Sequence, residues 1–137
     1  MAVAYQTISV GNKKETLPHH TKKKNLSDKV VEYILKCSDE ELAILSVDRI
    51  AQKFKISQSF LCRKFRSEKY FTIGKFIFKE RMFRAAQMLT EDQKITIKSL
   101  AEIIGFFDYD YFIRIFKKHF GISPSRYRDC VLKKTGH

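Results

Sequence analysis

Apolar residues recur at Val30, Val31, Ile34 and Leu35 in the one-face spacing of an amphipathic helix. Ser27 is placed to cap its start, and the pattern runs out over residues 37–41. A second helix is predicted after Ser46, with Val47, Ile50, Ala51 and Phe54 inward. A short turn through Lys55 and Ile56 then leads to Ser57, positioned to cap a third helix over residues 58–69. That third helix divides cleanly at 3.6-residue spacing. Leu61 and Phe65 face inward with Phe60 at their edge, and Ser59, Cys62, Arg63 and Arg66 share the opposite face.

The same pattern then returns. Residues 97–104 read as a helix with Leu100 and Ala101 in the places of Ile50 and Ala51, an offset of 50. Phe112, Arg114 and Phe116 match Leu61, Arg63 and Phe65 at an offset of 51, so one residue has been added in the turn that contains Gly105. Asp108 is placed to cap the later helix, whose outer face of Asp110, Ile113, Arg114 and Lys117 stands in register with Ser59, Cys62, Arg63 and Arg66. A short helix, a turn and a second helix with an arginine outward is the layout of a helix-turn-helix, in which small residues such as Ala51 and Ala101 let the helices approach.

Between the copies, residues 72–89 read as one long helix with Ile73, Phe76, Ile77, Met82, Ala85, Ala86 and Leu89 inward. Its roughly 18 residues span about 27 Å, comparable to the ~34 Å between successive major grooves on one face of B-DNA. Both outward helices could therefore dock together. The expected fold is all-α: helix-turn-helix subdomains over 27–71 and 91–130, a linker helix over 72–90, a flexible basic arm over 1–26 and a tail over 131–137. Glu80 and Arg81 on the linker are expected to form a salt bridge that holds the two units. Phe71, Phe76, Phe78, Phe83, Phe106, Phe107 and Phe120 are expected in core or interface.

Charge sharpens this picture. The 137 residues carry 27 Lys and Arg against 15 Asp and Glu, a net +12. Residues 1–26 hold five basic and one acidic residue, 27–45 two and five, 46–129 eighteen and nine, and 130–137 two and none. The surplus therefore belongs mainly to the folded body, which favours a shaped polyanion, double-stranded DNA first, as partner. Arg63 and Arg114 can each reach a guanine edge by a two-pronged contact, with Gln58, Ser59, Cys62 and Arg66 as further base-reading candidates in the first unit. In the second unit the candidates are Tyr109, Asp110, Ile113 and Lys117. Ile113 can pack on a thymine methyl and Asp110 can accept from cytosine N4, although an acid near phosphates costs affinity and an intramolecular partner for Asp110 is expected. Phosphate contacts are assigned to Lys55, Lys64, Lys98, Lys118, Arg126 and Arg128, and to the helix starts at Ser46 and Ser57.

Other chemistries find little support. Five Gly and two Pro are too few for the turns of a sandwich or barrel. Cys37, Cys62 and Cys130 are odd in number and lack CxxC spacing, which gives neither a disulfide framework nor a zinc site, and suits a reducing cytoplasm. His19, His20, His119 and His137 have no metal-ligand spacing. Without a glycine-rich phosphate loop, a nucleophile elbow or a convincing carboxylate pair, no enzymatic activity, cofactor or metal is expected. No stretch approaches the ~18 apolar residues of a membrane helix, so no membrane partner is expected.

From Ser46 to Arg128 the chain resembles the DNA-binding region of the AraC/XylS family of bacterial transcription regulators. The likeness is carried above all by Ile103-Ile104-Gly105-Phe106-Phe107-Asp108, by the run from Tyr111 through Phe112, Arg114, Phe116, Lys117, Phe120 and Gly121 to Ser123-Pro124, and by Tyr127-Arg128. It departs from the family pattern near Tyr70, where the family often has Gly, and near Tyr109 and Ile113, where it often has small hydroxyl residues. The resemblance implies binding to promoter DNA, activation through RNA polymerase, and a sensor or dimerisation domain that the chain has no room for beyond residues 1–45. A second reading stays open: a basic module docking on RNA polymerase or another regulator without reading DNA sequence.

Overall fold

Short polar residues start nearly every helix of this protein. The structure, a computed structural model, describes residues 24–135. Most of the expected arm over 1–26 and the end of the expected tail lie outside the described residues. Eight helices and no strand occur among the described residues: α1 (Leu26–Lys36), α2 (Asp39–Ile44), α3 (Val47–Phe54), α4 (Gln58–Glu68), α5 (Ile73–Glu91), α6 (Ile97–Ile103), α7 (Tyr109–Phe120) and α8 (Pro124–Thr135). None is long and apolar enough to cross a membrane.

The side chains of Ser46, Ser57, Thr72, Thr96 and Asp108 each accept a hydrogen bond from the backbone N–H three residues on, which is why α3 to α7 begin where they do. A cap of this kind contributes about 1 kcal/mol. Two starts differ from the sequence expectation. Asn25, not Ser27, caps α1, and the buried Ser27 hydroxyl instead donates to Glu68 at the far end of α4. Helix α2 was not expected at all, yet Ser38 and Glu41 form a reciprocal capping box at its start. The S-x-x-E spacing is the signal that would have revealed it.

Two cores lie along the linker helix α5. Val30, Ile34, Leu42, Ile50, Leu61 and Phe65 pack with Ile73, Phe76 and Ile77 from its first half. Leu100, Ala101, Ile104, Phe106, Phe112 and Phe116 pack with Met82, Ala85 and Leu89 from its second. All seven linker positions expected to point inward are buried. Leu35, expected inward on α1, is largely exposed.

The repeat is visible in the turns. Ile56 N–H donates to the Ala51 carbonyl and Phe106 N–H to that of Ala101, both at an offset of 50. Lys55 and Gly105, the equivalent residues, both adopt positive φ, 56° and 99°. The added residue thus falls after Phe106 and before the Asp108 cap, which makes it Phe107. It is pushed outward and is 81% exposed, against the expectation that it lies in core or interface. Phe106, by contrast, is buried.

Arginines of the linker join the two units, though not as expected. Arg81 does not pair with Glu80. Its guanidinium donates to the carbonyls of Leu42 (3.0 Å), Ala43 (3.2 Å) and Leu45 (3.1 Å) at the end of α2, of which that of Leu42 also accepts from the Leu45 N–H. Its Cζ also lies 6.0 Å from the ring centre of Phe106, in the second unit. Glu80 pairs with Arg84 at 3.0 Å, and Arg84 reaches on to the carbonyls of Leu35 and Cys37 and to Asp39. A guanidinium presents several donors in a planar fork and so can satisfy several carbonyls where a carboxylate partner would satisfy none of them.

Gly105 completes this joint. A Cβ on it would stand 2.6 Å from the Ala43 carbonyl oxygen, the one that Arg81 holds, and its φ of 99° is unfavourable for any L side chain. Gly105→Ala is therefore expected to cost about 2 to 4 kcal/mol, the sum of left-handed strain and a displaced backbone contact. Thermal unfolding measures it; an unchanged midpoint would mean that the two units are not in contact at this point.

Candidate nucleic-acid interface

Helices α4 and α7 present the residues assigned to base reading. On α4, Gln58, Ser59, Arg63 and Arg66 are exposed and Cys62 is half-buried. On α7, Tyr109, Asp110, Arg114 and Lys117 are exposed and Ile113, which stands at the position equivalent to Cys62, is likewise half-buried. The inward faces of the same helices seat Leu61 and Phe65, and Phe112 and Phe116, with no exposure at all. Each helix is thus fixed by its core side and leaves its polar side free for a ligand.

Neither Arg63 nor Arg114 is sealed beneath neighbours, and neither takes part in a hydrogen bond or ion pair among the described residues. Asp110, expected to find an intramolecular partner, has none among them and is exposed, so its carboxylate remains an acceptor on the outer face.

The phosphate candidates divide into three groups. Lys55, Lys98, Lys118 and Arg126 are exposed and unpaired among the described residues. Lys64 is partly committed to Glu68, at 3.3 Å on the same helix. Arg128 has another job: from α8 it donates to the carbonyls of Gln93 and Ile95 in the turn that follows the linker helix, closing the second unit. Its charge is plain in the sequence, whereas the carbonyls it holds are brought to it only by the fold. Ser46 and Ser57 spend their hydroxyls on Arg49 N–H and Phe60 N–H, so whatever they offer a phosphate comes from the remaining amides of the helix start.

The end of α4 is pinned to α1. Lys69 pairs with Asp28 at 2.8 Å, beside the bond between Ser27 and Glu68. The Ser27 hydroxyl, with Lys64, holds the Glu68 carboxyl below its ordinary range, so that it stays ionised and keeps accepting. In the second unit His119 is pushed the other way from protonation. Partial desolvation of its ring, which packs against Phe78 and Phe120, with the Lys79 ammonium nearby, lowers its affinity for a proton.

Three features of this surface were missed from sequence. Tyr70, just after α4, is fully exposed. Phe60 lies under the Arg63 guanidinium and Tyr111 under that of Arg114. The offset of 51 that relates the two arginines also relates the two rings, and it is the signal that could have disclosed them. Elsewhere, Ser38, Asp39, Glu40, Ala43, Glu102 and Ile103 line a depression of about 570 Å³ between α2 and α6. Asp39 is paired with Arg84, but the carboxylates of Glu40 and Glu102 still repel a polyanion, which makes this face less suited to one than α4 and α7. Among the described residues no group of three or more His, Cys, Asp or Glu is arranged to hold a metal, and the three cysteines are free.

A helix-turn-helix domain family matches residues 50–129. The probable transcription factor PqrA of Proteus vulgaris is 35% identical over 107 residues, 76% of this chain and 87% of that protein. The transcriptional activator AggR of Escherichia coli is 37% identical over 78 residues, which cover 57% of this chain but only 29% of AggR. Among solved structures, the C-terminal domain of AraT, a response regulator from Geobacillus stearothermophilus, superposes with a TM-score of 0.68 at 27% identity, covering 78% of this chain and 86% of that one. The DNA-binding domain of AdpA, a global transcriptional factor solved in complex with a target DNA, shares the fold with a TM-score of 0.67 at 21% identity, over 82% of this chain and 97% of that domain.

Proposed function

Because the chain belongs to the AraC/XylS-type helix-turn-helix family, we propose that it is a sequence-specific double-stranded DNA-binding regulator of transcription that sets α4 and α7 into adjacent major-groove segments. One observation carries the reading. Two helices with exposed, unpaired arginines at equivalent positions, Arg63 and Arg114, are mounted on one 19-residue helix about 28 Å long, close to a turn of B-DNA.

In this reading the work divides by chemistry. Lys55, Lys98, Lys118 and Arg126 neutralise phosphates and set affinity and register without choosing a sequence. Arg63 and Arg114 choose it by forked contacts to guanine, with Gln58, Ser59, Arg66 and Lys117 as polar neighbours and with Cys62 and Ile113 as apolar contacts to base methyls. Asp110 accepts from cytosine N4, a contact that rewards one base pair and penalises the others. Tyr109, exposed at the start of α7, offers its hydroxyl to a base edge. Activation through contact with RNA polymerase is part of the proposal, in line with the name of AggR.

Selection of bound sites from a random duplex library, followed by titration, tests it. A preferred site bound at least a thousandfold more tightly than random duplex is the expected result. Lys118→Ala should weaken all duplexes alike and flatten the salt dependence of log K by about 0.9. Binding without sequence preference would overturn the proposal in favour of a basic protein-docking module.

A further inference from the structure

Phe60 and Tyr111 are each about two-fifths exposed, and each stands three residues before the outward arginine of its helix. Residues so spaced are neighbours on a helix surface. Arg63 Cζ lies 6.0 Å from the ring centre of Phe60, and Arg114 Cζ lies 5.5 Å from that of Tyr111. Arg81 also meets a ring, but it has three carbonyls besides. For Arg63 and Arg114 the ring is the one polar or cation–ring partner found among the described residues. The arrangement occurs twice, at the 51-residue offset that relates the two units, although the ring is Phe in one and Tyr in the other.

We propose that Phe60 and Tyr111 are positioning residues for base reading: each ring parks its arginine along the outer face of the helix, so that the guanidinium enters the groove with its conformation already chosen. This rests on the reading of Arg63 and Arg114 given above. An unrestrained arginine loses much of its rotamer freedom when a base edge fixes it, and that loss weakens the contact. The negative face of an aromatic ring attracts the cation and limits that freedom beforehand. A guanidinium stacks by its plane, so the N–H edge that grips guanine O6 and N7 stays available. A lysine, hydrated as a point charge, would gain neither the stacking nor the fork. The rings thereby set how sharply each head discriminates, while the phosphate contacts set how tightly the protein binds any duplex.

The test uses Phe60→Leu and Tyr111→Leu in the full chain, since leucine keeps apolar cover and helix propensity but has no ring face. For the preferred duplex and for one changed at the base pair read by the adjacent arginine, the ratio of dissociation constants is measured, together with affinity for random duplex and the thermal midpoint. Each variant is expected to lower discrimination at one base pair about three- to tenfold, with random-duplex affinity unchanged and the midpoint lowered by no more than about 4 °C, the loss of the ring contact itself. Phe60→Tyr should restore it, and Phe60→Leu should add nothing in an Arg63→Ala background. Phe60→Met, another ringless side chain, repeats the measurement should leucine disturb folding. Discrimination that survives Phe60→Leu but not Arg63→Ala overturns the positioning role and leaves base reading intact. Preferences that survive Arg63→Ala overturn base reading itself, and this inference with it. A proportional fall on all duplexes would assign the rings to the helix or to the DNA backbone and overturn positioning.

Discussion

Arg81→Ala is expected to lower stability by about 3 kcal/mol, because hydrogen bonds from a charged group contribute about 1.5 to 3 kcal/mol each and water can replace only part of them. The carbonyls of Ala43 and Leu45 at the end of α2 lose their donor, that of Leu42 is left with the Leu45 N–H alone, and Phe106 loses the cation over its ring. For a domain of this size the thermal midpoint should fall by roughly 12 °C. Arg81→Lys should recover less than half of the loss, since one ammonium cannot span three acceptors in the geometry of a fork. The guanidinium is partly buried, which disfavours its charged form, yet an arginine stays protonated throughout the accessible pH range, so the loss should not depend on pH. A fall of less than 1 kcal/mol in chemical denaturation would show that the joint between the units is held by apolar packing alone.

Much of the frame was legible in the amino-acid sequence for a simple reason. Core positions of a helix repeat every 3.6 residues whatever the tertiary partner, and short polar residues mark helix starts, so the seven inward positions of the linker and the caps at Ser57 and Asp108 could be read directly. The two-unit plan was legible because it is written twice. What stayed hidden depends on contacts between residues far apart in the chain. Arg81 carries the same charge whether it meets Glu80 or three carbonyls, and only the path of α2 decides. Arg128 looked like a phosphate ligand until the turn at Gln93 and Ile95 came back to it. Phe107 is as apolar as Phe106, and which of them is buried follows from where one extra residue is accommodated.

Removing both Arg63 and Arg114 is expected to abolish most sequence discrimination while leaving general duplex binding. Each forked contact is worth about 1 to 3 kcal/mol of discrimination. Two in separate units should add, for a loss of about 2 to 6 kcal/mol, or roughly 30- to 20,000-fold on the preferred site. Additivity follows from the frame. With Arg81 holding α2 and Gly105 lying against Ala43, a head that has lost its arginine is still carried into the groove by the other and keeps its phosphate contacts. The salt dependence should therefore change little in either single variant. In an Arg81→Ala background the same single loss should let the weakened head lift away, and the slope should drop by several phosphate equivalents, about 0.9 for each. Titration of the four combinations across a range of salt separates these cases. A single arginine variant that removes all discrimination in the intact frame would mean that one head does the reading and the other only anchors.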